Sequence, residues 1–303
     1  MEITVIIPLF NKRSTIARAL ESVYAQRSSP AEVIVVDDGS TDDGSAIAKS
    51  IATKHKSIPT RIIGTENRGV SAARNLGIEL AATKYVALLD ADDQWLPNHI
   101  EELVELMLRH NNVDLFGAKI ITKSDSGSIC IGPEEFIKLY SKNMTIIDSS
   151  SCVISRELAM RVGGFPTENA LRGEDIVFWV LAGCASGAAF TNLSTSYIDK
   201  SSSGIQQRRS VLPATVYHLY PKIDEFPQSL RAHVRKVVRK NIVFSLVASW
   251  PIDEALIKRV IVDVGQYDQR FSRVIVISVR IGIFHILVGL RRTLKWFRLG
   301  RPL

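Results

Sequence analysis

The strongest constraint in this sequence is the alternation of its first hundred residues. Apolar runs at Ile3 to Leu9, Glu32 to Asp37, Arg61 to Gly64 and Tyr85 to Leu89 are separated by amphipathic stretches at Ser14 to Ala25, Gly44 to Thr53 and Ser71 to Ala82. That alternation is the pattern of βαβ units sharing a parallel sheet. Glu32 to Asp37 is an almost unbroken Val/Ile run, as expected of a strand buried on both faces. Ser14 is the expected N-cap of the first helix. Three of the strands end in loops containing Asp or Asn. In open α/β sheets the ligand crevice lies at the carboxyl ends of the strands, so these loops are expected to face one shared site.

Further along, Leu96 to His110 reads as an acidic amphipathic helix, and residues 113 to 165 carry no clear period. Gly173 to Gly183 opens with two acids and continues as a helical run. Tyr197 to Ser203 is a polar loop expected to end the sheet domain, and beyond residue 210 the pattern is helical, most clearly in Leu230 to Val247 and Arg273 to Phe297. There is no internal repeat. The expected division is a catalytic domain over residues 1–209, with a donor half to about 112 and an acceptor half from 113, and a basic helical region over 210–303.

A chain of 303 residues can bury a full core without staples. Cys130, Cys152 and Cys184 are odd in number and widely spaced, with no CxxC pair, so they read as small buried apolar residues in a reducing compartment. The N-terminus has an acid where a signal peptide has basic residues, and reads as a strand. Charge is divided unevenly. Residues 1–200 hold 20 Lys+Arg against 25 Asp+Glu, whereas residues 201–303 hold 18 against 6. A basic third implies an anionic partner, either nucleic acid or the phosphates of a membrane.

Four segments carry candidate chemistry. Asp90-Ala91-Asp92-Asp93 follows an apolar strand, and one or two strand-end carboxylates suffice for a divalent cation that keeps positions for water and phosphate. The same triplet is common in surface turns and caps. Asp37-Asp38-Gly39-Ser40 places acids at another strand end, able to accept from a base N–H or ribose hydroxyls, or simply to cap the next helix. In Asn67 to Gly77, small residues at a helix start permit close approach of an anion, and Arg74 is either a phosphate or base ligand or an ordinary surface arginine. Glu174 and Asp175 stand where helix-capping acids stand. A catalytic carboxylate there would take the proton of an attacking hydroxyl.

Taken in order, Ile6-Ile7-Pro8-Leu9-Phe10-Asn11, Val36 to Asp42, Asn67-Arg68-Gly69 with Ala73 to Gly77, and Leu89 to Asp93 resemble family 2 glycosyltransferases. Gly163-Gly164-Phe165 and Gly173-Glu174-Asp175 fall where that family has its acceptor-side signature, so the likeness covers about residues 1–185. It implies an α/β GT-A fold: a Rossmann-like, mostly parallel central sheet flanked by helices, here with a C-terminal helical extension. It also implies a nucleotide-diphospho-sugar donor, usually UDP-linked, and inversion by single displacement. Residue by residue, it places Pro8 and Asn11 on the nucleoside pocket, Asp37 and Asp38 on base or ribose, and Asn67 and Gly69 on the donor. Arg74 approaches base or diphosphate, Asp90 the ribose or metal, and Asp92 the metal, Mn²⁺ or Mg²⁺. Asp175 is the general base, with Glu174 beside it. Gln206-Gln207-Arg208-Arg209-Ser210 lacks the tryptophan of the processive signature, which implies single addition. Tyr197 to Ser203 offers no histidine to the metal, leaving Arg208 and Arg209 as candidates to close over the diphosphate.

In the basic region, Arg231, Arg235 and Arg239 recur at helical spacing opposite Val234, Val237, Val238 and Ile242. Such a helix either lies on an anionic membrane or packs its apolar side on the catalytic domain. Val274 to Leu290 is short for a span and contains Arg280 and His285. Arg273, Arg280, Arg291 and Arg298 share nearly one azimuth, interrupted by Phe284 and Leu287. Trp296 and Phe297 among cations fit an interfacial anchor. The expected setting is the cytoplasmic face of a membrane carrying a lipid-linked glycan acceptor. The alternatives are a soluble or protein acceptor, and a catalytically silent nucleotide-sugar binder. Nucleic acid is not expected, because the charge lies on apolar helices without a reader motif.

Overall fold

The computed structural model describes residues 1–118, 127–199, 211–248 and 254–280. The four apolar runs become β1 (Ile3–Leu9), β2 (Glu32–Asp37), β3 (Thr60–Gly64) and β4 (Tyr85–Leu88), mutually parallel in the order β3-β2-β1-β4. Between them run α1 (Ile16–Tyr24), α2 (Gly44–Lys54) and α3 (Val70–Leu80). The chain builds outward from β1 to β2 and β3, then returns to place β4 on its other side. That reversal opens the crevice at the carboxyl ends of β1 and β4.

The segment without a clear period extends the same sheet. After β5 (Gln94–Trp95) and α4 (His99–Arg109) come β6 (Leu115–Ala118), β7 (Ser128–Ile131), α5 (Pro133–Lys142) and β8 (Cys152–Ser155). Then follow α6 (Arg156–Arg161), α7 (Glu174–Ser186), β9 (Ala188–Thr191) and β10 (Ser196–Tyr197). β8 inserts antiparallel between β4 and β6, β9 lies parallel to β6, and β7 closes the far edge. The eight-stranded order is β3-β2-β1-β4-β8-β6-β9-β7, and β5 pairs with β10 in a separate ribbon.

Period-2 alternation sends side chains into two cores. Ile3, Val5, Ile7, Val33, Val35 and Ala87 face α1, α2 and α4, whereas Ile6, Ile34, Val36, Val86 and Leu88 face α3 and the later helices. Both faces are covered, as parallel strands require. A Cβ at Gly77 would stand 2.3 Å from Ile6 Cγ2, so glycine lets α3 lie directly on β1.

Three expectations change. Ser14 is not the cap of α1: the cap position is Thr15, which makes no side-chain capping bond, and the turn closes through Thr15 and Ile16 N–H to Lys12 O. The helix expected from Leu96 starts at His99, because Pro97 disfavours helical backbone at the residue before it. The basic region is not separate. α8 (Ala214–His218), α9 (Gln228–Ala248), α10 (Glu254–Arg259), a π-helical turn (Val260–Val264) and α11 (Gln269–Arg280) share the core beneath α3, α5 and α7. Val234, Val237, Val238 and Ile242 are fully buried there, so the apolar side of α9 is packed on protein. Residues 200–210, with Arg208 and Arg209, and the tail beyond Arg280, with Trp296 and Phe297, lie outside the described residues. Among the described residues, no helix is long and apolar enough to cross a membrane.

Candidate active site

The loops after β1, β2, β3 and β4 meet at one edge of the sheet. Asn11 takes a left-handed conformation (φ 51°), tolerated by a short polar side chain, and its Oδ1 accepts from Thr41 N–H at 2.8 Å. Asp37 Oδ1 accepts from Ser40 N–H at 3.0 Å. Asp38 is nearly buried, and its two oxygens accept from Arg68 and Gly69 N–H, each at 2.8 Å. Asp38 therefore shapes the Asn67-Arg68-Gly69 rim, where Asn67 and Gly69 are exposed. Each of its oxygens keeps a further acceptor site. Pro8 departs from expectation: it is buried inside β1 opposite Val36, and the exposed ring at this strand end is Phe10.

Beneath the crevice lies Arg74, only 5% exposed, so it is no surface arginine. Its Nη2 donates to Asp90 Oδ1 at 2.6 Å, its guanidinium lies 5.1 Å from the Phe165 ring, and its Nε and Nη1 have no protein partner. Burial opposes the charge, but Asp90, Glu174 and Asp175 more than offset it. One buried cation thus stands in the field of the strand-end acid and both α7 acids. Burial raises the Asp175 carboxyl above the usual range, Arg74 pulls it back and Asp90 pushes it up. A half-buried carboxyl with raised basicity suits proton abstraction.

The other acid of the triplet, Asp92, is held at 2.6 Å by Lys12 Nζ. Arg18 Nη2 donates to the Asp92 carbonyl at 2.6 Å and lies 3.2 Å from Asp199 Oδ2. Among the described residues no three metal-binding side chains cluster. The two outer carboxylates of the triplet each pair with a cation, Asp92 with Lys12 and Asp90 with Arg74, and each has a second oxygen, the kind of ligand that hard divalent ions take in ones and twos.

Asp93 has a structural task. It accepts from Ser150 Oγ at 2.5 Å and from Asp199 N–H at 2.8 Å, while Ser150 Oγ receives Asp90 N–H and Ser150 O receives Trp95 Nε1. The acidic loop is thereby bound to the start of β8 and to the segment after β10. Burial pushes Asp93 up to about 6, with Asp90 and Asp92 adding repulsion. In the unfolded chain the group titrates near 4, so between pH 4 and 6 the native state holds more protons. Stability falls as pH rises through that window, by roughly 2–3 kcal/mol, and is level above it. Asp93→Asn should remove that slope; urea midpoints at pH 4.5 and 6.5 that shift equally in both proteins would refute this.

Several site residues carried no sequence signal. Lys12, Asp148 and Asp199 lie in loops of ordinary composition, Arg18 on α1 and Ser150 in a 3-10 turn before β8, and only long-range folding gathers them. Burial pushes the Tyr140 hydroxyl well up, and Asp175 and Asp148 push it further. Gly163-Gly164-Phe165 has a mechanical reason. Asn75 Nδ2 donates to Phe165 O at 2.7 Å and its Oδ1 accepts Phe165 N–H at 2.8 Å. A Cβ on Gly164 (φ 68°) would meet that Oδ1 at 2.6 Å, so glycine clamps this loop to α3. The loop leading into Asp175 is supported from α9: Arg172 Nη1 donates to Ser245 O at 3.0 Å, and buried Asn241 lies against Gly173.

Comparison with known proteins settles the family. The profile described as Glycosyl transferase family 2 matches residues 4–161, just over half the chain. The chain belongs to glycosyl transferase family 2. The uncharacterized glycosyltransferase YibD of Escherichia coli (strain K12) is 40% identical over 107 residues, covering 35% of this chain and 30% of that protein. TuaG of Bacillus subtilis (strain 168), a glycosyltransferase named for teichuronic acid biosynthesis, is 29% identical over 184 residues, 59% of this chain and 70% of its own length. The chain spans less than a third of the first three curated relatives it matches. Among solved structures, S. aureus TarS 1-349 superposes with a TM-score of 0.70 at 16% identity, covering 99% of this chain and 92% of that one. A mannosyltransferase of Pyrobaculum calidifontis, solved with GDP-Man and Mn²⁺, gives 0.56 at 18% identity, with 96% and 84% covered. The fold of this chain is GT-A, with helices after the sheet.

Proposed function

We propose that this glycosyltransferase moves a sugar from a UDP-sugar to a hydroxyl of a lipid-linked glycan, with inversion and one addition per encounter, at the cytoplasmic face of a membrane. The observation that carries the reading is Arg74, one buried cation between the strand-end acid Asp90 and the α7 acids Glu174 and Asp175. It divides the carboxylates by task. Asp90 and Asp92 face the donor, and Asp175, kept basic by burial, faces the acceptor.

Phe10 offers a ring face to the nucleobase, while Asp37, Asp38 and the Asn67-to-Gly69 rim supply polar contacts. Asp175 takes the proton of the acceptor hydroxyl as its oxygen forms the bond to the anomeric carbon. The bond from that carbon to the diphosphate oxygen breaks, and its electron pair leaves with UDP. Lys12 and Arg18 stand beside Asp92, where the departing diphosphate gathers charge. A divalent ion at Asp92 and Asp90 would add Lewis-acid neutralisation of that diphosphate. Support for the donor comes from the TarS complex with UDP-GlcNAc, TM-score 0.66 at 16% identity. Support for the acceptor class comes from relatives named for teichuronic acid and succinoglycan biosynthesis.

The decisive measurement is UDP release from a panel of nucleotide sugars with Mn²⁺ or Mg²⁺. One UDP-sugar should be turned over, and Asp92→Ala should raise the metal concentration needed for half-maximal rate at least tenfold. Release from none of the panel, or an unchanged metal requirement, would overturn the donor and metal assignments respectively.

A further inference from the structure

The cationic side of α9 remains at the surface after its apolar side is packed. Ala232, Arg235, Lys236, Arg239, Lys240 and Val243 form one helical face and, with Phe271 of α11, line a groove of about 570 Å³. Arg239 is tied inward to Asp268 at 2.6 Å and lies 5.3 Å from the Phe271 ring, whereas Arg235 and Lys236 are exposed. Lys240 Nζ donates to Lys142 O, and burial and then the nearby Lys236 lower it.

Apolar residues stand exposed on α11 and on the turn packed against it. Val274 is three residues beyond Phe271 on the same face of α11 and is 60% exposed, next to exposed Arg270 and Arg273. In the π-helical turn Ile261 and Val262 are exposed, Val262 by 65%, as is Tyr267 just after it. The neighbouring acids turn inward, Asp263 to Tyr217 and Asp268 to Arg239 and Tyr220. Residues 281–303 hold five Lys+Arg and no Asp or Glu, so charge makes them a poor occupant of the groove and a match for the same anionic partner.

We infer that the groove between α9 and α11 is a docking surface for an anionic phospholipid bilayer, with Arg235 and Lys236 meeting headgroup phosphates and Val262 and Val274 entering the acyl boundary. The inference rests on the membrane-face reading above and names the surface that serves it. A soluble polyanion would use the cations alone. The exposed aliphatic residues favour lipid, since cations together with apolar side chains make an interfacial surface.

The test uses the full chain with vesicles of phosphatidylcholine alone or with 30% phosphatidylglycerol. Partition into anionic vesicles only is expected. Arg235→Ser with Lys236→Ser should weaken it about tenfold to thirtyfold, from two charges near the surface. Val262→Ser with Val274→Ser should weaken it as well, while glycerol phosphate at millimolar concentration should not compete. UDP release in solution should be unchanged in both variants, which separates this surface from the active site. Wild-type partition that neither variant reduces would overturn the groove and leave residues 281–303 as the attachment. Absence of wild-type partition would overturn both the groove and the membrane reading, while UDP release would leave the transferase reading standing. Loss with the charge pair only, together with competition by glycerol phosphate, would overturn the lipid assignment in favour of a soluble phosphate polymer.

Discussion

Asp175→Asn is expected to slow sugar transfer by about a hundredfold to ten-thousandfold, the range usually lost with a general base. Asparagine keeps the size of the side chain and cannot accept the proton. Donor affinity should change little, because Asp37, Asp38, Asp90 and Asp92 stand on other elements. The variant should therefore show low kcat at near-normal KM for the donor. A second result follows from the Arg74 field. In the wild type, rate should rise with pH as Asp175 loses its proton, at a pH above the ordinary carboxylate range because burial outweighs the pull of Arg74. In Arg74→Gln that limb should move higher, since the opposing positive charge is gone. A limb that stays in place would separate Arg74 from the base. Transfer surviving in Asp175→Asn would show the proton going to another group.

Deleting residues 228–303 is expected to unfold the catalytic domain rather than release it from a membrane. Val234, Val237, Val238, Ile242 and Leu246 are each 1% exposed or less and complete the core beneath α5 and α8. Burial of a large aliphatic side chain stabilises by roughly 1.5–3 kcal/mol, so five of them carry on the order of 10 kcal/mol, comparable to the whole stability of a domain. The deletion would also remove Ser245 and Asn241 from beneath Arg172 and Gly173, freeing the loop that presents Asp175. Thermal unfolding and UDP release of the truncated chain give the check. A cooperative melt near the wild-type temperature with retained activity would show the helices to be an appendage. Membrane attachment is for the same reason better tested with surface substitutions than with truncation.

Much of the structure of the first hundred or so residues was legible in the sequence. β1 to β4 follow from apolar runs that must bury two faces, and the helices between them from amphipathic spacing; their bounds moved by only a few residues. Asn11, Asp37, Asp38, Asn67, Gly69, Asp90 and Asp92 fall on the expected edge because the carboxyl ends of parallel strands share one side. The segment from 113 to 199 was opaque for a definite reason. β6, β7, β8 and β9 have four residues each, too short for a period to register, and β8 pairs with strands distant in sequence. Pro8 was misplaced because a motif gives position along the chain and not the side of the strand.

The sequence by itself determined the parallel frame, the crevice at its strand ends and the order of the acids along the chain, since these follow from local periods and from the handedness common to βαβ units. Only the tertiary structure decided which charges meet. Arg74 became an internal counter-ion when α3 settled on β1 and Phe165 closed over it. Lys12 came to Asp92, Ser150 to Asp93, and α9 to the loop of Asp175, each across dozens of residues. Such pairings depend on the packing of whole elements, and no local pattern encodes them.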